Sequence, residues 1–454
     1  MTGGTVLGAV VADPRMEAIW SDRSALAAML EVEAALAEAQ AEAGLAPARL
    51  GPAIRAIRPE DFDLRAIGEG ARRSAVPSIA FLAQLAARLP PDLAWALHRG
   101  ATSQDLIDTA LALLMARSFR MLAHDLAAAL DRLAASAERH ASLVAVGRTY
   151  GQAAAPTTFG ARFGQWALGL AEPAADLPDL LRAAPAVSLG GPVGIAAAYG
   201  DKTCGLAERI AAILGLAAEP LAWHTRRWRI ARTGAWLAGV IGAAAKIARD
   251  IERLRSDAVG EIVERGGEGR GGSSAMPHKR NPAGETAILA AHHLAPGLAA
   301  ALLAAMAVEE ERGGGGWQAE WQALPTLFSL AARASSELAR LAGVIEPDVE
   351  RVRANLGATR GLVFADRAAE VLAPRLGRGG AAEAVGRAAG VVRSGAVGTL
   401  AEALRADGHD EAADACSAEA ALAAGNRAAR AAARRARETA AALRAAGGQG
   451  EWHG

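Results

Sequence analysis

The sequence predicts an all-α protein, and three observations favour that class. Alanine is abundant and aromatic residues make up only 4% of the 454 residues, a composition that favours helices over sheets. Apolar residues recur at three- and four-residue steps over long stretches, which is the period of an α-helix. No credible strand pattern accompanies them, since Val144–Val146 and Val391–Val392 are too short to count.

The helical patterns follow one another along the chain. The first covers Arg23–Gly44, where Gly44 occupies the expected C-terminal cap. Two longer patterns without proline, 106–133 and 233–263, predict a bundle of long helices in close contact. From Gly425 the chain is rich in Ala and Arg, which predicts one exposed tail helix. The breaks between patterns predict an N-terminal helical domain (1–107), a central long-helix bundle (108–345) and a C-terminal helical domain (346–454).

Composition excludes several classes of protein. Apolar residues make up 52% and charged residues 22%, unlike a disordered chain. Basic and acidic residues balance at 49 each, so no overall charge favours nucleic acid or a membrane surface. Cys204 and Cys416 are too few for a disulfide framework and fit a reducing compartment. Met1–Val11 lacks the basic region of a signal peptide, and apolar runs such as Ala235–Ala245 are shorter than a membrane span. A soluble, cytoplasmic protein is expected.

The stretch Gly271–Pro282 is the richest in possible chemistry. Five glycines within Gly266–Ser274 precede Asn281-Pro282, a favourable helix start with Asn at the cap and Pro at the first helical position. A lysine beside a helix N-terminus can bind an anion, although the spacing of a phosphate-binding Walker loop is absent. A flexible linker followed by a capped helix is the alternative interpretation.

Two further polar stretches lie at predicted helix boundaries. Gly100–Thr109 places Thr102 and Asp105 at capping-box spacing before a long helix. Gly147–Gly160 is a polar turn between two helical regions. Taken singly, an ordinary helix cap and an ordinary inter-helix loop explain them. Their hydroxyl groups and backbone amides could also receive a carboxylate.

The three stretches together resemble the fumarase/aspartase superfamily. Its signature, Gly-Ser-Ser-x-Met-Pro-x-Lys-x-Asn-Pro, is matched throughout by Gly272–Pro282, and the other two stretches look like its remaining shared regions in the right order. The resemblance extends over most of the chain, from Met16–Trp20 to Arg353–Arg378. It implies a three-domain subunit and a homotetramer with a twenty-helix core. Each active site would take its three regions from three different subunits.

The resemblance also implies the chemistry, which is reversible β-elimination beside a carboxylate of a small substrate. No metal or organic cofactor is expected, and neither nucleic acid nor a membrane is an expected partner. Ser273 matches the catalytic serine that transfers the Cα proton, while Lys279 and Asn281 match the groups that stabilise the aci-carboxylate dianion. A preorganised cation stabilises such a dianion most when water is excluded. The candidate substrate-binding residues are Thr102, Ser103, Gln104, Thr149, Tyr150, Gln152, Ser274, Met276, His278 and Arg367.

Two missing histidines indicate the leaving group. Amine-expelling members of the superfamily typically have Thr-His in the second region, where this chain has Thr149-Tyr150. The adenylosuccinate branch has Arg-His-Asp where this chain has Arg73-Ser74-Ala75. A general acid contributes about 10²–10⁴-fold, which an amine needs and a carboxylate, with a conjugate-acid pKa near ~4, does not. The residues therefore favour a carboxylate as leaving group or, in reverse, as the nucleophile of a lactonisation.

Four more stretches resemble one branch of the superfamily, the bacterial 3-carboxy-cis,cis-muconate cycloisomerases. They are Trp223–Arg226, Trp317–Trp321, Arg353–Asp366 and Leu372–Arg378. The resemblance implies closure of a tricarboxylate diene to 4-carboxymuconolactone in the β-ketoadipate pathway of protocatechuate degradation.

Three positions leave alternatives open. Ala153 stands where some members of the branch carry histidine. Arg367 occupies the place of a phosphate-binding arginine of the adenylosuccinate branch, although Ala365 replaces the serine of that pattern. His98 is equally a substrate contact or a core residue. An adenylosuccinate- or argininosuccinate-type lyase and a non-enzymatic, crystallin-like structural protein are the alternative functions.

Overall fold

A computed structural model describes residues 5–203, 205–266 and 270–448, so that Cys204 lies outside the described residues. Its regular structure is almost entirely helical, which confirms the all-α prediction. The helices are α1 (Pro14–Ile19), α2 (Asp22–Glu42), α3 (Leu50–Arg55), α4 (Leu64–Ser74), α5 (Ser78–Ala86), α6 (Pro91–Ala94), α7 (Ser103–Arg139), α8 (Phe159–Ala174), α9 (Leu177–Ala183), α10 (Leu206–Leu214), α11 (Trp228–Arg255), α12 (Ala283–Ala304), α13 (Gly316–Val344), α14 (Val349–Ala358), α15 (Ala365–Ser394), α16 (Leu400–Ala406), α17 (Asp410–Asp414) and α18 (Glu419–Gly447). The strands are β1 (Val144–Thr149), β2 (Gln152–Thr158), β3 (Ile262–Glu264) and β4 (Ile345–Pro347).

Two antiparallel strand pairs correct the expectation that the chain has no strands. β1 and β2 form a hairpin with a bulge at Gly147/Arg148, and its turn is Tyr150-Gly151. Both turn residues have positive φ, 49° and 79°, as the tight turns that match the twist of a hairpin require. β3 pairs with β4. The helix expected over 233–263 therefore ends at Arg255.

Long helices make up the centre of the molecule. α7 packs against α2, α8, α13 and α18, while α11, α12 and α13 pack against one another. One continuous apolar core runs through these helices, and it includes the ring stack of Trp20 on Phe328 and the edge contact of Phe119 with Phe328. α2 ends as expected, with Gly44 in the left-handed conformation (φ 70°) just beyond it.

The tail helix α18 forms as predicted, but the expectation that it is exposed is wrong. Small apolar side chains along one face are buried against α7 and α8. A methyl group on Gly164 of α8 would lie 2.9 Å from the Cβ of Ala432, so the two helices approach closely there. This face joins the main core, whereas α15, α16 and α17 enclose a separate apolar cluster. The domain division at 107 and 345 stays a prediction.

Helix α12 is a longer apolar stretch than the apolar runs considered in the sequence. It is the one helix among the described residues whose length and composition would suffice to cross a membrane, and only 33% of its apolar window is buried. Leu294 and Leu303 are about half exposed, and Glu285, near the start of the helix, is its one charged side chain. An uncharged, exposed helix face of this kind is typical of a surface that another protein covers.

Candidate active site

The first predicted region forms the start of α7. Thr102 occupies the N-cap in an extended conformation, and its backbone N–H donates to the Asp105 carboxylate (3.0 Å). This is the helix cap that the capping-box spacing predicts. Ser103 is partly exposed, whereas Gln104 is buried. The Gln104 amide donates to the backbone oxygen of His224 (3.0 Å) and accepts from Arg312 (3.0 Å), so both of its ends are engaged.

Asp105 connects this helix start to two distant loops. Its carboxylate accepts from the backbone N–H groups of Gly190 and Gly191, both at 2.8 Å. Nε2 of the buried His224 lies 2.8 Å from the same carboxylate. These contacts hold the turn at 190–191 against the first turn of α7, beside Thr102.

One helical turn further on, a buried ion cluster joins α7, α11 and α13. Arg227 donates to both carboxylate oxygens of Asp108 (2.7 and 3.1 Å) and pairs with Glu320. Trp317 donates its indole N–H to Asp108 (3.0 Å). Burial raises the pKa of Glu320, and the two carboxylates raise the pKa of Arg227 despite its burial. Since a buried charge is tolerated only when it is paired, the cluster locks the ends of three helices in one arrangement.

The second predicted region is the β1–β2 hairpin. Its turn lies between two helices, α7 and α8, as expected, but it joins two paired strands that the sequence did not predict. Thr149, Tyr150 and Gln152 are exposed, and the Tyr150 side chain is fully so. Beneath the tip, Arg148 donates twice to the buried Glu261 (2.6 and 3.0 Å). Burial would raise the pKa of Glu261, but bonds from Arg148 and Asn355 lower it.

The third predicted region is a loop closed at its base. The Asn281 N–H donates to the Gly271 carbonyl (2.7 Å), and Gly272 pairs with Arg280. Ser273 accepts from the Met276 N–H (3.2 Å). Within this loop Ser274, Met276, His278 and Lys279 are exposed. The expected cap is wrong in detail: Pro282, not Asn281, occupies the N-cap of α12, and the Asn281 side-chain amide points to the Gly272 carbonyl (3.5 Å).

Two remaining candidates lie apart from these regions. Arg367 is exposed on α15 and pairs with Glu370 one turn away (3.0 Å). His98 lies 2.5 Å from the buried Glu33 and is largely buried itself. Burial would lower the pKa of His98, but Glu33 outweighs it and raises that pKa. Among the residues that the structure describes, no three His, Cys, Asp or Glu side chains are grouped to hold a metal ion.

One chain does not bring the three regions to one place. The first region stands at the N-terminal end of α7, and the hairpin follows directly after its C-terminal end. A helix of 37 residues is roughly 55 Å long at 1.5 Å per residue. The loop region lies at the same end as the hairpin, since Arg270 beside it pairs with Glu337 near the end of α13 (3.0 Å). The first region is therefore separated from the other two by the length of the bundle.

Comparisons with known proteins agree with this architecture. The model of a family described as lyase matches residues 8–293. The chain belongs to this lyase family of the fumarase/aspartase superfamily. A 3-carboxy-cis,cis-muconate cycloisomerase of Bradyrhizobium diazoefficiens is 39% identical over 377 residues, covering 82% of this chain and 84% of that protein. A nitrosuccinate lyase of Streptomyces davaonensis is 41% identical over 388 residues, covering 82% and 81%.

Solved structures of the same superfamily have the same fold. The crystal structure of the 3-carboxy-cis,cis-muconate lactonizing enzyme from Pseudomonas putida superposes with a TM-score of 0.89 at 33% identity, covering 96% of this chain and 99% of that one. A fumarate lyase from a Mesorhizobium species superposes with a TM-score of 0.79 at 27% identity, covering 97% and 98%.

Sequence reasoning missed two sets of contacts at this end of the bundle. Asp108, Arg227 and Glu320 lie far apart in sequence and meet only through the packing of the helices. Arg312 reaches Gln104 and Thr102 in the same way. Three residues at this end lie in stretches that the sequence analysis had singled out, but none had an assigned role: Asp108 in Gly100–Thr109, His224 in Trp223–Arg226 and Glu320 in Trp317–Trp321. The signal available in the sequence was the charge itself: Asp108 and Glu320 interrupt otherwise apolar helix faces.

Proposed function

We propose that this lyase-family protein is a 3-carboxy-cis,cis-muconate cycloisomerase that forms 4-carboxymuconolactone in protocatechuate catabolism. The observation that carries the proposal is the hairpin tip, which offers the Tyr150 phenol and no imidazole between Thr149 and Gln152. An enzyme that expels or adds a carboxylate needs no general acid for that group, because a carboxylate is a stable anion at neutral pH. The named relatives at about 40% identity support the same reaction.

The loop residues have separate roles in the proposed reaction. The distal carboxylate oxygen attacks the far alkene carbon, and the π electrons move toward the adjacent carbon and its carboxylate. Lys279 and Asn281 stabilise the resulting aci-carboxylate dianion. Ser273 then delivers its hydroxyl proton to Cα and regains a proton from water. Closure of the loop that carries Ser273 and Lys279 would exclude water and strengthen these electrostatic contacts.

The active enzyme is proposed to be a homotetramer. Because roughly 55 Å of helix separates Thr102 from the hairpin, a site that uses all three regions has to combine different subunits. Its substrate-facing residues would be Thr102, Ser103, Gln104, Thr149, Tyr150, Gln152, Ser274, Met276, His278 and Arg367.

The uncharged face of α12 supports the assembly. Exposed leucines such as Leu294 and Leu303 are costly in water, and their burial under a second copy is favourable. The two relatives named above are bacterial enzymes, and we infer a cytoplasmic location for this chain.

A nitrosuccinate lyase is the second candidate, favoured by the 41% identity to a protein of that name. Nitrite, like a carboxylate, is the anion of an acid that is ionised at neutral pH, so the missing histidine fits both. Purified protein should be mixed in turn with 3-carboxy-cis,cis-muconate, nitrosuccinate and adenylosuccinate.

The proposal expects loss of the diene absorbance with the first substrate and no nitrite from the second. Nitrite release without consumption of the diene would replace the cycloisomerase by the lyase. Fumarate formation from adenylosuccinate would favour the amine-lyase alternative.

A further inference from the structure

Arg312 is a charged residue beside the first region that the proposed reaction does not yet use. It lies in the segment between α12 and α13 and reaches back to the start of α7. Its Nε donates to Gln104 (3.0 Å), and its Nη1 donates to the Thr102 hydroxyl oxygen (3.2 Å). Its Nη2 contacts the backbone oxygens of Pro192 (3.3 Å) and Gly191 (3.5 Å).

All of these partners are neutral. Among the described residues Arg312 forms no ion pair, although most other arginines of the bundle do. Asp105 belongs to the same network, but its carboxylate is already bound by three backbone N–H groups and His224. The guanidinium is thus held in place by bonds that leave its charge without a counter-ion.

The geometry leaves room for an anion. A guanidinium has five N–H donors, and the two long contacts of Nη2 are weak, so its outer edge can still donate to a carboxylate. Arg312 is exposed, and Thr102 can donate its own hydroxyl hydrogen beside it. Because the side chain is already ordered, binding an anion there costs little further conformational entropy.

We propose that Arg312 binds the 3-carboxylate of the substrate, the one that takes no part in ring closure. This inference rests on the proposed function, in which one carboxylate is the nucleophile and a second becomes the aci-carboxylate on Lys279 and Asn281. Gln104 is then a positioning residue, because both ends of its buried amide hold protein groups and one of them is Arg312. Arg367 is the weaker candidate for this carboxylate, since it already pairs with Glu370 (3.0 Å).

Two ligands that differ by this one carboxylate test the assignment. The KM for 3-carboxy-cis,cis-muconate and the inhibition constant of cis,cis-muconate are measured for the wild type, Arg312→Gln, Arg312→Lys and Arg367→Gln. Arg182→Gln, an exposed arginine paired with Asp179 on α9, is the matched control. Arg312→Gln should raise the KM by about 10- to 150-fold, as expected for loss of a charge-assisted hydrogen bond, and change the inhibition constant by less than about 3-fold. Arg312→Lys keeps the charge but loses the planar, forked N–H donors of the guanidinium. It should show a smaller but still selective rise in KM.

Equal losses for both ligands would show that Arg312 acts only through the fold, and a selective loss in Arg367→Gln alone would move the role to Arg367. If Arg312→Gln does not fold, Arg312→Lys decides the question by the same comparison. A wild type that leaves the tricarboxylate unchanged would overturn the proposed function itself and this inference with it. If the wild type converts the tricarboxylate but the Arg312 variants lose both ligands equally, only the assignment of Arg312 is overturned.

Discussion

Tyr150 is the residue on which the choice of reaction depends. If the reacting group is a carboxylate, the phenol donates one hydrogen bond to the substrate and is not an essential acid. Tyr150→Phe should then lower kcat/KM by about 10- to 150-fold, mainly through KM. The pH profile of kcat should keep its shape, because no titrating catalyst has been removed.

Ser273→Ala provides the comparison for Tyr150. It removes the proposed proton donor and should lower kcat by at least ~10³. If Tyr150→Phe is as inactive as Ser273→Ala, the phenol is an acid–base catalyst. The inference from the missing histidine to lactonisation would then be wrong.

The pair of His98 and Glu33 makes stability depend on pH. Burial lowers the pKa of His98, but Glu33 and the more distant Asp105 raise it above the ordinary value of ~6.5. A group whose pKa is higher in the folded state stabilises the fold fully below its unfolded pKa, and this stabilisation is lost as the pH rises through the folded pKa. The double variant His98→Gln/Glu33→Gln removes both partners and should show a flatter decline of the unfolding free energy above about pH 6.5.

Urea denaturation across this pH range, with wild type and double variant side by side, measures the difference. Parallel curves for the two proteins would mean that the pair does not titrate as described.

Among the elements, the loop 270–282 depends on a backbone contact at its base. Gly271 has a φ of 66°, and a Cβ there would lie 2.2 Å from the Asn281 carbonyl oxygen. Gly271→Ala should open the contact that holds Ser273 and Lys279 in one loop, and kcat should fall at least ~10-fold with little change in melting temperature. Gly272→Ala is the matched control, because a Cβ at Gly272 meets nothing within 4 Å. Equal activity of the two variants would contradict a role for the closed base.

The elements also show how far the sequence could predict the fold. Long helices such as α2 and α7 could be predicted from the period of their apolar residues and from their cap residues, because both signals are local. The β1–β2 hairpin could not, since its alanines carry no alternating pattern and its stability comes from distant groups such as Glu261 beneath Arg148. The alanines spaced along one face of α18 could have predicted that this face is buried. Which helix covers them is decided by tertiary packing.

The same limit applies to the candidate site. Ser273, Lys279 and Asn281 were recognisable because they form one continuous signature. Arg312 and Asp105 belong to one network only because a loop after α12 returns to the start of α7, which no local pattern reveals.

At the scale of the whole molecule, the length of α7 predicts how inactive chains should complement one another. Ser273→Ala damages the loop end of the bundle, and Thr102→Val/Ser103→Ala damages the opposite end. If each site takes these regions from different subunits, mixed tetramers restore up to about a quarter of the sites at equal mixing. Chains that are denatured together and refolded should regain activity in that proportion. Ser273→Ala mixed with Lys279→Ala is the control, because both changes lie in one loop and every site keeps one of them. Recovery in the control as well, or a stable monomer in sedimentation at micromolar concentration, would contradict sites that are shared between subunits.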